Sequence, residues 1–226
     1  MSVIEFAGVS HAYGDRQVLE KFDLTLREDR IGIIGSNGSG KSTLARMING
    51  LVLPSTGTVT VDGLDVAKKG GAVRRKVGFV FTDPDNQIVM PTVGEDLAFS
   101  LRRSKMSKSD VAQRVDDILE RFRLTGHADH PAHLLSGGQK QLLAIGAVLI
   151  RDPDVVVADE PTTLLDLRNS RMVSEVLGEI DRQVIVVTHH LSLLREFDRV
   201  IVVHEGRIAF DGAPSDAIPN YEELLT

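Results

Sequence analysis

The run Gly35-Ser36-Asn37-Gly38-Ser39-Gly40-Lys41-Ser42 has the spacing G-x-x-x-x-G-K-[ST] and lies between an apolar stretch at 31–34 and a helical pattern at 43–48. Glycines in such a loop let backbone N–H groups converge on an anion, and the helix start behind them adds its dipole. In that arrangement the Lys41 ammonium reaches the terminal phosphates and the Ser42 hydroxyl binds Mg²⁺. At ordinary glycine usage, a chance match arises in roughly one chain of this length in a hundred. The strand–loop–helix setting makes a plain glycine turn the weaker explanation. The sequence therefore predicts a nucleoside triphosphate site contacted by Asn37, Gly38, Ser39, Gly40, Lys41, Ser42 and Thr43.

A second chemical cluster closes the apolar run Val155-Val156-Val157-Ala158, which ends in Asp159-Glu160-Pro161. An aspartate at the carboxyl end of a strand beside a phosphate loop can hold Mg²⁺ through water. The adjacent glutamate can accept a proton from the attacking water. Asp159 is thus the candidate metal residue and Glu160 the candidate base; the bland alternative is a strand ending at a solvated rim. His189 and His190 follow the apolar run 184–187, and strand alternation favours His189 as a γ-phosphate donor over a merely exposed histidine. The turn Leu135-Ser136-Gly137-Gly138-Gln139 opens a Leu/Ala/Ile-rich helix over 138–150, with Ser136 as a natural cap and two glycines leaving N–H groups uncovered. By itself that turn is a weak phosphate signal.

These residues need a scaffold. Short β runs at 3–6, 22–26, 31–34, 58–61 and 77–81 occupy the first third of the chain. A helical pattern follows, with Val111, Val115, Ile118, Leu119 and Phe122 spaced three or four apart. Unbroken Val/Ile runs at 155–158 and 184–187 read as buried parallel strands joined by a crossover helix over 167–180. The pattern predicts an α/β fold with an inserted helical lobe. The chain has 226 residues, 26 Lys+Arg against 32 Asp+Glu for a net charge of −6, 42% apolar residues and no cysteine. It is long enough for its own core, and the missing cysteines exclude disulfides and thiolate metal sites. The N-terminus lacks the pattern of a signal peptide, and no apolar run approaches the ~20 residues of a membrane span. The acidic balance argues against a general nucleic-acid binder. His127, His130 and His133 recur every three residues, but Pro131 breaks any regular helical face, so a solvated connection is favoured over a metal cluster. The basic run Lys68-Lys69 and Arg74-Arg75-Lys76 reads as a solvated loop.

The phosphate loop, Leu-Ser-Gly-Gly-Gln at 135–139, Asp159-Glu160-Pro161, Asp166 in Thr163-Leu164-Leu165-Asp166 and His189 in Val187-Thr188-His189 occur in the order and spacing of one family. The chain resembles the nucleotide-binding subunits of ATP-binding cassette (ABC) transporters over nearly its whole length. The resemblance implies an α/β P-loop NTPase core with a parallel-sheet centre, an antiparallel β segment near the N-terminus and an inserted helical lobe. It implies one nucleotide-binding domain over 1–226, with its core lobe at about 1–82 and 151–226 and its helical lobe at about 83–150. It implies ATP and Mg²⁺ as ligands, and Tyr13 as the residue stacked on adenine. It also implies a head-to-tail homodimer or pseudo-symmetric dimer, in which Ser136, Gly137, Gly138, Gln139 and Asp166 contact ATP held by the partner.

One position departs from the family pattern. The glutamine that ordinarily follows the strand over 77–81, contacting Mg²⁺ and the attacking water, is Thr82 here, and Gln87 lies five residues on. Either could serve. The segment Asp83-Pro84-Asp85-Asn86-Gln87-Ile88-Val89-Met90-Pro91-Thr92-Val93-Gly94-Glu95-Asp96-Leu97-Ala98-Phe99 is similar to the ATPases of energy-coupling-factor importers, with the biotin-uptake branch nearest and the cobalt branch next. That resemblance implies an integral membrane coupling protein and a substrate-binding membrane protein as partners. It also implies a place on the cytoplasmic face of the cell membrane. Ile88-Val89-Met90, between two prolines, is either an apolar patch for a partner's helix or part of this chain's own core. The competing class is a non-transport ABC ATPase of chromosome maintenance or the ribosome, which usually carries long coiled coils or tandem cassettes.

Overall fold

The computed structural model describes residues 2–225. Strands β1 (Ile4–Tyr13), β2 (Arg16–Leu26) and β3 (Arg30–Ile34) lead into helix α1 (Lys41–Ile48), followed by β4 (Thr56–Val61), β5 (Leu64–Asp65), α2 (Val66–Lys76) and β6 (Val77–Val80). Helices α3 (Val93–Ser100), α4 (Lys108–Arg121) and α5 (Gly137–Leu149) come next. The chain ends with β7 (Val155–Asp159), α6 (Leu167–Gly178), β8 (Gln183–Val187), β9 (Arg199–His204), β10 (Arg207–Gly212) and α7 (Pro214–Leu224).

Two sheets result, one of order β2-β1-β4-β5 and antiparallel, the other of order β10-β9-β3-β8-β7-β6. In the second, β3 runs parallel to β8 and β9, and β7 runs parallel to β8, while β10 is antiparallel to β9. Every residue of β7 and β8 is buried, as expected of parallel strands covered on both faces. The register puts Ile33 beside Val187 and Val187 beside Asp159. The phosphate loop, the Asp159-Glu160 pair and His189 therefore all leave the sheet at the carboxyl ends of adjacent strands, where open α/β sheets bind ligands. Ile34, Leu194, Val200, Val202, Ala217 and Tyr221 form a buried cluster that packs α7 against the sheet.

Contacts divide the chain into two units. The first comprises residues up to Phe79, Asp154–Glu160 and the chain from Ile180 onward; the second comprises Val80–Pro153 and Pro161–Glu179. The helical unit thus takes in α6, which the sequence pattern leaves with the core lobe. Within it α3 packs on α4 and α5, and α5 on α6. Gly146 of α5 makes the close approach possible, since a Cβ there would lie 2.9 Å from Ile118.

The basic run at 68–76 is not a loop but helix α2. Asp65 caps it, accepting hydrogen bonds from the backbone N–H groups of Ala67 (2.9 Å) and Lys68 (3.2 Å), and Val66 and Val73 bury its apolar side. Gly70-Gly71 and the non-helical Lys69 weaken the helical pattern enough to hide it. Lys76 at its end bridges Asp62 (2.9 Å) and Asp154 (2.7 Å).

Candidate active site

The phosphate loop turns out of β3 through backbone conformations that need glycine. Gly40 has φ 104°, and a Cβ on it would fall 2.6 Å from Leu19 and 2.9 Å from the Val18 carbonyl of β2. Gly38, at φ 80°, would meet nothing within 4 Å, so its backbone faces open space. Gly40 also caps α1 without a side chain, leaving the first N–H groups of the helix for an anion.

Five predicted residues converge in the first unit. Lys41 is buried, its ammonium donating to the Ser36 carbonyl at 3.3 Å and standing 3.8 Å from Glu160 Oε1. Glu160 Oε2 lies 2.8 Å from His189 Nδ1, so cation, base and histidine form a continuous row. Glu160 itself occupies the left-handed region at φ 51°, anchored by its N–H donating to the Val187 carbonyl at 2.9 Å. Strain of this kind persists where neighbouring structure over-determines the backbone, and it clusters at functional sites. Here Glu160 faces Lys41 and His189, while Asp159 faces Ser42. Burial, with the Glu160 charge nearby, pushes the Tyr221 hydroxyl above the usual tyrosine range.

Asp159 is 1% exposed and accepts a hydrogen bond from Ser42 Oγ at 2.8 Å. Ser42 uses its single hydrogen there, which leaves its oxygen lone pairs for a cation. A hydroxyl oxygen and a carboxylate side by side suit Mg²⁺, a hard ion that takes oxygen ligands and keeps several waters. The residues present fit the ion. Thr43 follows Ser42 on the first turn of α1. Asn37 and Ser39 lie in the loop, Ser39 donating its N–H to the Ser36 carbonyl at 3.1 Å. Tyr13 closes β1, 53% exposed, its ring edge-on to His11 at 4.5 Å.

The remaining predicted residues belong to the second unit. Ser136 caps α5 in a reciprocal pair: Gln139 N–H donates to Ser136 Oγ at 3.3 Å, and Ser136 N–H donates to Gln139 Oε1 at 3.0 Å. Asp166 caps α6, accepting from Asn169 N–H at 2.8 Å and from Asn169 Nδ2 at 3.1 Å. Asn169 is in turn pressed against Gly138, where an added Cβ would run into its amide, whereas at Gly137 the nearest atom is an ordinary 3.6 Å away. The two glycines therefore do different work. Gly138→Ala is expected to cost about 1–3 kcal/mol by overpacking, whereas Gly137→Ala should be neutral or slightly stabilising in a helix. Thermal melts of the two variants check this, and equal melting temperatures would refute it.

Gln87 and Thr82 also differ. Gln87 accepts from Phe81 N–H at 3.2 Å and donates to the Ala144 carbonyl at 2.9 Å, so one end of its amide holds the start of the loop and the other ties it to α5. Thr82, half-buried, directly follows Phe81. The loop is held further by Lys140 on Asp85 (2.7 Å) and by buried Asp96, which accepts from the N–H groups of Val89 (2.8 Å) and Met90 (3.0 Å). Ile88 and Met90 are half-buried and Val89 is exposed, beside a cavity of about 320 Å³ lined also by Asp85, Pro91, Ala132 and His133. The rings of His127 and His130 pack at 5.5 Å. Among the described residues no group of three or more His, Cys, Asp or Glu side chains is arranged to hold a metal ion.

Parallel sheet, phosphate loop and paired carboxylates define a P-loop nucleoside triphosphatase. The profile of the ABC transporter family matches residues 19–163, and the chain belongs to that family. It is 44% identical over 221 residues to a biotin transport ATP-binding protein of Rhizobium etli, covering 98% of each chain. It is 39% identical over 233 residues to the energy-coupling factor transporter ATP-binding protein EcfA1 of Symbiobacterium thermophilum, covering 96% of this chain and 81% of that one. Among solved structures it is similar to CbiO1 from Clostridium perfringens, described as part of the ABC transporter complex CbiONQ. The TM-score is 0.85 at 31% identity, covering 98% of this chain and 92% of that one. The protein is an ATPase. Among the described residues no helix is long and apolar enough to cross a membrane.

Proposed function

We propose that this ATPase energises a membrane importer of the energy-coupling-factor type, carrying a vitamin such as biotin or a transition-metal ion. The observation that carries the reading is the loop after Phe81, which Asp96, Lys140 and Ala144 hold rigidly while Val89 stands exposed beside the 320 Å³ cavity. A rigid apolar knob beside a recess suits a short helix of an integral membrane coupling protein, a second membrane protein selecting the substrate. The relatives named for biotin transport, energy coupling and the CbiONQ complex support the same partners. The site of work is then the cytoplasmic face of the membrane.

In this reading Lys41 and the backbone of Asn37–Ser42 grip the ATP phosphates, Tyr13 stacks on adenine, and Ser42 and Asp159 hold Mg²⁺. When bound, the ion neutralises charge on the transferring phosphate. Glu160 takes the proton of the attacking water, and His189 steadies the γ-phosphate. Thr82 takes the sequence position of the family's glutamine, with a shorter side chain. Two copies close head to tail, so that Ser136, Gly137, Gly138, Gln139 and Asp166 of one complete the site of the other. Leu134, Leu164 and Leu167 stand exposed around these residues, and burying such side chains favours closure by up to ~1.5–3 kcal/mol each. ATP bridges the closed pair, and its hydrolysis removes the bridge.

Val89→Asp tests this. The variant is expected to bind ATP as the natural chain does but to lose recovery with membrane proteins in pull-downs from solubilised membranes. Recovery of the unaltered chain with ribosomes or nucleic acid, and without an integral membrane partner, would sink the transport reading.

A further inference from the structure

Asp159 closes β7 with almost no contact with solvent, and its two oxygens are gripped from one helix. Ser42 Oγ donates to Oδ1 at 2.8 Å, and Arg46 Nη2 donates to Oδ2 at 3.0 Å. Ser42 and Arg46 are four apart on α1 and so share one face. A charged donor on the second oxygen adds a stronger hold on the carboxylate than a neutral hydroxyl supplies, and with Ser42 it engages both oxygens. The buried Arg46 Nε has no hydrogen-bond partner among the described residues.

Charge gives the contact a second consequence. Two basic groups face two acidic ones in this site, Lys41 toward Glu160 and Arg46 toward Asp159. A phosphate bound in the loop would compete with Glu160 for the Lys41 ammonium. Arg46 lies one helical turn behind Ser42, on the far oxygen of Asp159, and can stay in place while Lys41 moves.

Resting on the reading of Ser42 and Asp159 as the metal-holding pair, we infer that Arg46 is the positioning residue of that pair. It pins one oxygen of Asp159 so that the other, with the Ser42 hydroxyl, is presented to Mg²⁺. A purely structural ion pair anchoring α1 to β7 would affect thermal stability and leave the metal dependence alone.

The test titrates Mg²⁺ against retention of a fluorescent ATP analogue, with a matched series in chelator. It compares the natural chain with Arg46→Met, Arg46→Lys and Asp159→Asn. Loss of a group that orients a metal ligand weakens metal binding about 10- to 100-fold, so Arg46→Met should raise the half-saturating Mg²⁺ by that factor. Affinity in chelator should stay within about twofold, and Arg46→Lys, which keeps a charged donor for the single contact with Oδ2, should recover most of the shift. If Arg46→Met does not fold, a shift smaller than twofold in Arg46→Lys together with unchanged nucleotide affinity supports the inference only when Arg46→Gln shows the full loss; an unshifted Arg46→Gln overturns it. An unchanged Mg²⁺ midpoint in Arg46→Met beside a shifted one in Asp159→Asn overturns the inference and leaves Arg46 as an anchor. A lower midpoint in Arg46→Met overturns it too, since charge repulsion would then dominate. If Asp159→Asn also titrates like the natural chain, the metal reading of Asp159 itself falls.

Discussion

Glu160→Gln should bind ATP, turn it over about 10²–10⁴-fold more slowly, and accumulate as an ATP-loaded pair of subunits, the range being that of a lost general base. The substitution keeps the shape of the side chain and its reach toward His189 Nδ1, which lies 2.8 Å from Glu160 Oε2. It removes the capacity to take a proton, together with the negative charge that faces Lys41. The backbone at φ 51° should be undisturbed, because the N–H bond to the Val187 carbonyl does not involve the side chain. Phosphate release measured beside size-exclusion chromatography separates binding, turnover and pairing. Turnover within about threefold of the natural chain would remove Glu160 from the role of base, since a general base contributes far more than that.

The site was legible in the sequence where chemistry follows from adjacency. Lys41 and Ser42 share a loop, Asp159 and Glu160 share a strand end, and each pair lies at the rim of a parallel sheet readable from its Val/Ile runs. What adjacency cannot carry is backbone conformation and distant contact. Nothing local announces that Glu160 adopts a left-handed backbone at φ 51°. Nor can the sequence divide the labour of Gly137 and Gly138, because the atom that crowds Gly138 belongs to Asn169, 31 positions away. Nor does adjacency show what Gln87 touches. Both amide ends of Gln87 are used, one of them on Ala144, a contact 57 positions distant. Helix α2 stayed hidden because two glycines sit in its middle and only two of its side chains, Val66 and Val73, are buried. Where local pattern and tertiary contact agree, as in α4 with its Ser107 cap and periodic apolar face, the reading and the structure coincide.

The contact between Lys41 and Glu160 sets the second large effect. Lys41→Ala is expected to weaken ATP binding about 10- to 100-fold, the worth of one or two charge-assisted hydrogen bonds in a buried site. The loss should depend on Glu160. In the natural chain Lys41 stands 3.8 Å from Glu160 Oε1 and donates to the Ser36 carbonyl at 3.3 Å. Phosphate therefore competes with an existing partner for the ammonium, and the observed affinity is a difference between the two. With Gln at 160 the charged competitor is gone, so ATP should bind more tightly and the removal of Lys41 should cost more than it does beside Glu160. A double-mutant cycle on ATP affinity in Lys41→Ala, Glu160→Gln and the double variant measures this coupling directly. Both side chains are largely shielded, at 7% and 12% exposure, so solvent screening should not erase the coupling as it would for a surface pair. Equal costs in the two backgrounds would mean that 3.8 Å is too long for the pair to matter. Lys41 would then serve ATP alone, and Glu160 would owe its position to His189 and the strained backbone.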